Sequence, residues 1–281
     1  MSIMEQFVSH YGHFIIIIWF TSLISLELIT PNYASLTTKL SQFSRLIKHI
    51  SFWLINQGVG LLITLPMIIW ASSHALWQQT DFIALPIAII LGIVTLDLIS
   101  YWYHRIAHIT PLLWRFHEIH HLDEGLDVST GLRVHFGEII ITGVIKALFI
   151  FLLGIPLEAA ILFETLIVVQ GIYHHSNFKT PNWLINTLSL VITTPKQHAT
   201  HHHAFQKDTD SNYGFIFIWW DKLFFSFNLA QRKKNWRIGL EYSKDLSLFA
   251  LLISPFRLKP LKERVASDTN SDANSKQETS L

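Results

Sequence analysis

Long apolar stretches alternate with polar, histidine-rich segments along this chain of 281 residues. Helices of roughly 20 residues cross the apolar core of a bilayer, and three stretches are near that length: 14–29, 52–71 and 82–103. Two shorter stretches, 139–153 and 157–173, are separated by Gly154-Ile155-Pro156, which is a turn signal. The pattern predicts an all-α polytopic membrane protein with about three transmembrane helices plus a returning helical hairpin.

Composition strengthens this prediction. Half of the residues are hydrophobic and only 15% are charged, whereas soluble domains carry about 25% charged residues. So much apolar surface argues against a simple soluble globule and against a disordered chain. The net charge of +1 gives no reason to expect nucleic acid as a partner. Because cysteine is absent from the sequence, disulfides, thiolate metal sites and a cysteine nucleophile are excluded.

Basic residues orient the predicted spans, because they concentrate on the cytoplasmic side of membrane proteins. The segment 72–81 after the second span has no Lys or Arg, whereas the segments after the first and third spans carry Lys39, Arg45, Lys48, Arg105, Arg115 and Arg133. We therefore expect the histidine-rich segments to face the cytoplasm, from a bacterial inner membrane or from the endoplasmic reticulum.

Histidines are the main sign of chemistry. The chain has 16, of which 12 lie between His104 and His203. Residues three or four apart share a helix face, and this spacing recurs in three sets: His104 and His108; His117, His120 and His121; His198, His201 and His202. These eight side chains exceed the needs of one metal ion, so we predict two. A field of imidazoles suits Fe, Zn, Cu or Ni.

Asp97 is the one charged residue between positions 82 and 103, and carboxylates inside a membrane are usually functional. It falls on one helical stripe with Tyr101, His104 and His108. We therefore expect Asp97 to accept the outer N–H of a metal-bound histidine. Lys146 and Glu164 lie equally far from the hairpin turn and are expected to pair.

The order H-x3-H, H-x-x-H-H and a distant H-x-x-H-H resembles the fatty acid hydroxylase and sterol desaturase superfamily. Further segments are similar to its motifs: Arg133-Val-His135-Phe-Gly-Glu138, His175-Ser-Asn177, Thr194-Pro195 before His198, Asp210-Ser-Asn-Tyr-Gly214 and Trp220-Asp221. Phe136, Ala204 and Phe225 depart from the family pattern without removing a ligand. The resemblance covers about residues 97–227.

The resemblance implies a ligand set that includes the eight histidines together with His135 and His175. The roles of His174 and His203 stay open. It also makes Glu138, Asn177 and Asp210, beside Asp97, candidate hydrogen-bond partners of the ligands. The implied domains are an N-terminal transmembrane region (1–95), a di-metal catalytic domain (96–230, with the hairpin 137–173), a C-terminal cytoplasmic segment (231–262) and a disordered tail (263–281).

Such a protein would be a di-iron oxygenase that uses O2 to hydroxylate or desaturate a membrane lipid, such as a sterol, a fatty acyl chain or an ether lipid. Because the sequence has no G-x-G-x-x-G fingerprint, we expect a separate electron donor, such as a ferredoxin, a cytochrome or a reductase.

Two alternatives remain. The segment 117–121 also reads as HExxH, the zinc motif of a metalloprotease with Glu118 as general base. A non-enzymatic metal transporter would also need clustered ligands, although transporters usually place them near the middle of the membrane.

Overall fold

The computed structural model describes residues 3–33, 39–230, 232–233 and 236–257. This part of the chain is all-helical and contains only isolated β-bridges, as the sequence predicts. The helices are α1 (Ile3–Ile29), α2 (Lys39–Val59), α3 (Leu65–Ser73), α4 (Leu85–Ile109), α5 (Pro111–His121), α6 (Phe136–Leu153), α7 (Leu157–His174), α8 (Asn182–Leu188), α9 (Pro195–His201), α10 (Gln206–Thr209), α11 (Trp219–Leu223) and α12 (Leu248–Ile253). The predicted tail, 263–281, lies outside the described residues.

Four helical segments are long and apolar enough to cross a membrane: Leu40–Ser73, Leu85–Ile109, Phe136–Leu153 and Leu157–His174. A shorter apolar segment, Phe14–Ile29, accompanies them. Large apolar side chains on these helices point outward, including Leu62 at 80% exposure and Ile90 at 62%. The five helices correspond to the three spans and the hairpin expected from the sequence, and they describe a multi-pass membrane protein.

The second span is longer than predicted. It begins at Leu40 rather than near Phe52, and a π-helical turn, Gly60–Thr64, joins α2 to α3. A helix of 34 residues is about 51 Å long, well beyond the roughly 30 Å of a bilayer core. Its polar first third therefore reaches the histidine-rich region, where the Arg45 Nε donates to Asp123 Oδ1 at 2.5 Å.

The hairpin is closed by local geometry and by an ion pair. Gly154 ends α6 with φ at +63°, a left-handed conformation that glycine adopts without strain. Lys146 and Glu164 form the expected ion pair between α6 and α7. Helix α7 also packs closely against α4, since a Cβ at Gly92 would lie 2.7 Å from the Cβ of Ala159.

Several helices end in the same region, and this arrangement concentrates the histidines. Pro111 begins α5 directly after α4, because the residue before a proline disfavours helical geometry. The ends of α4, α5 and α7 thus carry histidines into one region. There they meet α9, which begins with a capping box between Thr194 and Gln197.

Candidate metal centre

Nine buried or half-buried histidines form two groups. The five-histidine group contains His104, His108, His117, His121 and His201, and the four-histidine group contains His120, His175, His198 and His202. Within each group, the candidate ligand nitrogens all lie within 4.8 Å of one another. Each H-x-x-H-H motif is divided between the groups, because the adjacent histidines of each doublet point to different sides. Each doublet thus contributes one imidazole to each group.

Backbone carbonyls fix the tautomer of four of these rings. A carbonyl oxygen can only accept a hydrogen bond, so the ring nitrogen facing it carries the proton and the other keeps its lone pair. The Nδ1 atoms donate to the carbonyls in four pairs: His104 to Tyr213 (2.8 Å), His201 to Ser211 (2.8 Å), His120 to Arg133 (3.1 Å) and His175 to Gly171 (2.5 Å). In all four, the lone pair is therefore on Nε2.

Two carboxylates orient further rings of the five-histidine group. Glu138 Oε1 lies 2.9 Å from the Nδ1 of His117, and Asp210 Oδ1 lies 3.2 Å from the Nδ1 of His108. A carboxylate in this position holds the ring and makes its other nitrogen a stronger ligand. The two acids thus have the geometry of partners for ligating histidines.

The spacing of the Nε2 atoms fits metal ions. In the four-histidine group, the Nε2 of His175 lies 3.0, 3.1 and 2.9 Å from those of His120, His202 and His198. Neighbouring nitrogens would be about 3.0 Å apart at right angles around a metal with bonds of about 2.1 Å. In the five-histidine group, the Nε2 atoms of His104, His108 and His201 are buried without a hydrogen-bond partner in the part of the chain described.

Electrostatics also favour metal over protons. Burial, and then the neighbouring imidazoles, hold the pKa values of His121, His198 and His202 well below the usual range. Burial likewise lowers the pKa of His201 to about 3. Neutral imidazoles at physiological pH present free lone pairs, which is the state that metal binding requires.

Asp97 has a different position from the one predicted. Its carboxylate accepts backbone N–H groups of Ile216 and Phe217, each at 3.1 Å, and the indole N–H of Trp220 at 2.8 Å. The predicted contact with a ligating histidine is therefore wrong. Asp97 anchors the segment after Tyr213, whose carbonyl orients His104, so its influence on the rings is indirect.

Asn177 likewise forms none of its hydrogen bonds in the described part of the chain with a ring of either group. Its side chain accepts from the Tyr33 N–H at 3.1 Å and donates to the Tyr33 carbonyl at 2.8 Å. Asn177 therefore joins the end of α7 to the segment that follows α1.

His135 lies outside both groups, although the resemblance includes it among the ligands. Its Nδ1 accepts from the Gly137 N–H at 3.0 Å at the start of α6, and its Nε2 donates to the Leu252 carbonyl at 3.1 Å. Both ring nitrogens are thus used by the backbone, and none is left for a metal. We leave His135 out of the ligand set.

The two open histidines also lie outside the groups. The ring of His174 lies against that of His198, with centroids 3.8 Å apart and the ring planes tilted by 34°. His203 bonds through Nδ1 to Asp208 at 2.7 Å and stacks on Trp236. Their positions make His174 a neighbour of the four-histidine group and His203 a more distant residue.

Sequence reasoning did not identify the role of Asp221. This buried carboxylate accepts the backbone N–H groups of Tyr213 and Gly214, each at 2.8 Å. It thereby fixes the loop whose carbonyls orient His104 and His201. The Trp220-Asp221 motif was the available signal, but nothing in it indicates contact with a loop eight residues earlier.

Two adjacent imidazole groups at the ends of membrane helices define a helical, histidine-rich membrane protein with room for two metal ions. The family model described as fatty acid hydroxylase matches residues 89–226. That segment makes up about half of the chain and contains all nine grouped histidines. The family resemblance expected from the sequence is therefore confirmed.

Curated relatives support the same assignment. An ornithine lipid hydroxylase from Rhizobium tropici is 30% identical over 62% of this chain and 52% of its own length. The alkylglycerol monooxygenase of Homo sapiens is 27% identical over 63% of this chain and 40% of its own length. A very-long-chain aldehyde decarbonylase from Oryza sativa is 26% identical over 56% of this chain and 24% of its own length.

The chain thus spans about half the length, or less, of these curated relatives. No solved structure matches it significantly.

Proposed function

We propose that this protein is a membrane di-iron oxygenase that uses O2 to hydroxylate or desaturate a lipid. The observation that carries the proposal is the convergence of nine imidazoles into two groups, with Nε2 as the free nitrogen wherever hydrogen bonds fix the tautomer. The five-histidine group would hold one iron and the four-histidine group the other. Bound iron would supply the activation of O2 that protein side chains cannot provide.

The side chains have supporting tasks in this proposal. The Tyr213 and Ser211 carbonyls keep His104 and His201 in the ligating tautomer, and Glu138 does the same for His117.

Hydroxylation consumes O2, two electrons and two protons, and leaves one oxygen atom in the product and one in water. Because the sequence has no dinucleotide fingerprint, a ferredoxin, a cytochrome or a reductase would supply the electrons.

A lipid substrate is supported by the relatives, whose names include an ornithine lipid hydroxylase and alkylglycerol monooxygenases. Lipidomics of a deletion strain and its complemented counterpart tests this. We expect a lipid that gains one oxygen atom or loses two hydrogen atoms only when the intact gene is present. Identical lipid profiles in the two strains, with protein expressed, would contradict the proposal.

We also propose that the histidine groups face the cytoplasm of a bacterial inner membrane or the endoplasmic reticulum, where electron donors are available. The distribution of Lys and Arg supports this orientation. A reporter fused after Ser72 should lie outside, and one fused after Arg115 should lie in the cytoplasm. The opposite pattern would reverse the orientation and remove the cytoplasmic electron supply.

The domain division expected from the sequence is part of the proposal. Residues 1–95 would anchor the chain and residues 96–230 would carry the reaction, which agrees with the family match over 89–226. The segment 231–262 would be a cytoplasmic extension, and 263–281 lies outside the described residues.

The zinc-protease alternative has little support in the site. His117 and His121 share their group with three further imidazoles, and Glu118 belongs to neither group. Glu118 Oε2 instead accepts from the Tyr242 hydroxyl at 2.9 Å. A general base must reach the metal-bound water, and this carboxylate is held by another partner. The transporter alternative is weakened because the groups lie where several helices end, whereas transporters place ligands near the middle of the membrane.

A pair of variants separates oxygenase from protease. His201→Ala removes a ligand that the protease does not need, so we expect it to lose metal and lipid oxidation. Glu118→Gln should retain measurable lipid oxidation, with a stability cost of about 1–2 kcal/mol for the altered buried hydrogen bond. An active His201→Ala beside an inactive Glu118→Gln would overturn the proposal of an oxygenase.

Purified protein should contain about two irons per chain, since the ligands form two groups.

A further inference from the structure

A polar pocket of about 480 Å³ lies directly behind the four-histidine group. Its inner wall includes Ser176 and Ala199, which follow His175 and His198 in the sequence. None of the nine grouped histidines is among the described residues that line the pocket. The pocket is therefore next to the metal centre and distinct from it.

The pocket is electropositive. Lys179, Lys196 and Arg232 line it, and none of its described lining residues is acidic. Within the described part of the chain, no salt bridge joins these three cations to a carboxylate. Three positive charges around one concave surface, with no acidic residue in its described lining, favour an anionic ligand.

Arg232 is held at the pocket rather than free in solvent. Its guanidinium lies over the Tyr33 ring, 4.4 Å from the centroid, and its carbonyl accepts from the Tyr33 hydroxyl at 2.7 Å. Burial lowers the pKa of Arg232, and the opposing influence of Tyr33 and Asp127 offsets only part of this effect. An arginine fixed in this way is prepared to bind an oxyanion.

Two hydroxyl groups provide an independent indication of a ligand. Ser176 is only 4% exposed, yet its Oγ has no hydrogen-bond partner among the described residues. The Oγ1 of Thr180 is buried and unpaired in the same way, and both residues line the pocket. Buried hydroxyls nearly always have partners, so a bound oxyanion would complete this site.

The location of the pocket indicates where the anion comes from. Asn32 and Tyr33 line it and directly follow α1, whose segment Phe14–Ile29 is apolar. The short helix α8 lies beside it and exposes Trp183 by 71%. Tryptophan concentrates at the level of the lipid headgroups. Helices that cross the hydrocarbon core of a bilayer end near the same level. These features are the ones expected of a pocket at the membrane interface.

We propose that this pocket binds the anionic headgroup, a phosphate or a carboxylate, of a membrane lipid. Lys196 and Arg232 provide charge-assisted hydrogen bonds, Lys179 provides a more exposed cation, and Ser176 donates its hydroxyl hydrogen. The proposal goes beyond the oxidation chemistry and does not depend on it, because binding is measured without turnover.

The test is lipid binding by the full-length protein in neutral detergent, followed by native mass spectrometry with dioleoylphosphatidic acid. We expect the protein to retain phosphatidic acid more strongly than dioleoylglycerol, which has the same acyl chains without the phosphate. In Lys196→Gln/Arg232→Gln, affinity should fall about 10-fold if one of the two side chains binds the phosphate and about 100-fold if both do. Equal retention of both lipids, or no effect of the double variant, would overturn the proposal.

A matched control removes the same charge elsewhere. Lys207 and Lys244 are exposed and do not line the pocket, so Lys207→Gln/Lys244→Gln should bind phosphatidic acid within about twofold of the unmodified protein. A loss equal to that of the pocket variant would show a nonspecific effect of net charge and would overturn the assignment to this pocket.

Two further measurements keep the result interpretable. Arg232→Lys retains the charge and should bind more tightly than Arg232→Gln. If the double variant fails to fold, the exposed Lys179→Gln should still weaken binding severalfold, and an unchanged affinity would count against the pocket. Competition by inorganic phosphate at the concentrations where phosphatidic acid binds would assign the site to free anions and overturn the lipid headgroup.

Discussion

The two histidine groups differ more in what surrounds them than in their imidazoles. In the five-histidine group, two rings are held by carboxylates, from Glu138 and Asp210, and two by backbone carbonyls. In the four-histidine group, two rings are held by backbone carbonyls, and the Nδ1 atoms of His198 and His202 are buried without a partner in the described residues. Backbone carbonyls thus support both groups, and among the described residues carboxylates support rings of the five-histidine group as well.

This difference indicates unequal roles for the two proposed ions. A carboxylate behind an imidazole increases its basicity and fixes its orientation, so the five-histidine group should hold its ion more tightly. The four-histidine group provides fewer ligands and would leave more positions for exchangeable molecules such as water. We therefore expect the ion in the four-histidine group to be lost first.

Removal of one ligand from each group should have the largest effect on metal content, and it tests whether the two groups differ. His198→Ala leaves three imidazoles, and we expect affinity for that ion to fall at least about 100-fold, to about one iron per chain. His121→Ala leaves four imidazoles, so we expect its ion to be weakened less than the ion in His198→Ala. Metal analysis after dialysis against a mild chelator measures both outcomes. Equal loss of metal from the two variants would show that the groups are equivalent.

The supporting carboxylates give a smaller effect that is restricted to one group. Glu138→Gln and Asp210→Asn remove a charge behind His117 and His108, and each should weaken the ion of the five-histidine group about 10- to 100-fold. The ion of the four-histidine group should be unaffected. Glu164→Gln is a matched control, because its carboxylate pairs with Lys146 in the hairpin and belongs to neither group. Equal weakening of both ions would contradict a local role.

The sequence predicted which histidines belong to the site better than it predicted how they divide between the two groups. Spacings of three and four identified eight of the nine grouped histidines, because such residues share a helix face. The division of each motif depends on how α5 and α9 meet, and the pattern along one helix does not contain that information. The carbonyls of Tyr213 and Ser211 could not be predicted at all, since every residue type carries one.

In the fold, too, the sequence pattern predicted local features better than the contacts made by tertiary packing. Apolar length identified the membrane helices, whereas the start of the second span was missed because Arg45, Lys48 and His49 make its first third polar. Asp97 was placed on the correct stripe of its helix. Its partners, however, come from Ile216, Phe217 and Trp220, about 120 residues later, and only tertiary packing brings them together.

Asp97→Asn tests whether this acid influences the five-histidine group through the loop that carries Tyr213. An amide cannot accept all three hydrogen bonds, so we expect unfolding to become easier by about 2–3 kcal/mol. Affinity for the ion should fall only severalfold, because His104 itself keeps its partner. Thermal unfolding and iron titration measure the two effects. A complete loss of that ion in a folded protein would indicate direct contact with a ligand.

His135→Asn should have the smallest effect on the metal, and it tests the boundary of both groups. Asparagine still caps the first turn of α6, but it does not preserve the bond from the ring to the Leu252 carbonyl. The free energy of unfolding should therefore fall by about 1 kcal/mol, with both ions retained. His135→Ala also loses the cap, which costs about 1 kcal/mol more. Because both ring nitrogens already bond to the backbone, neither variant should change the iron content. Loss of one iron from folded His135→Asn would return His135 to the ligand set and show that the backbone bonds are exchanged for a metal.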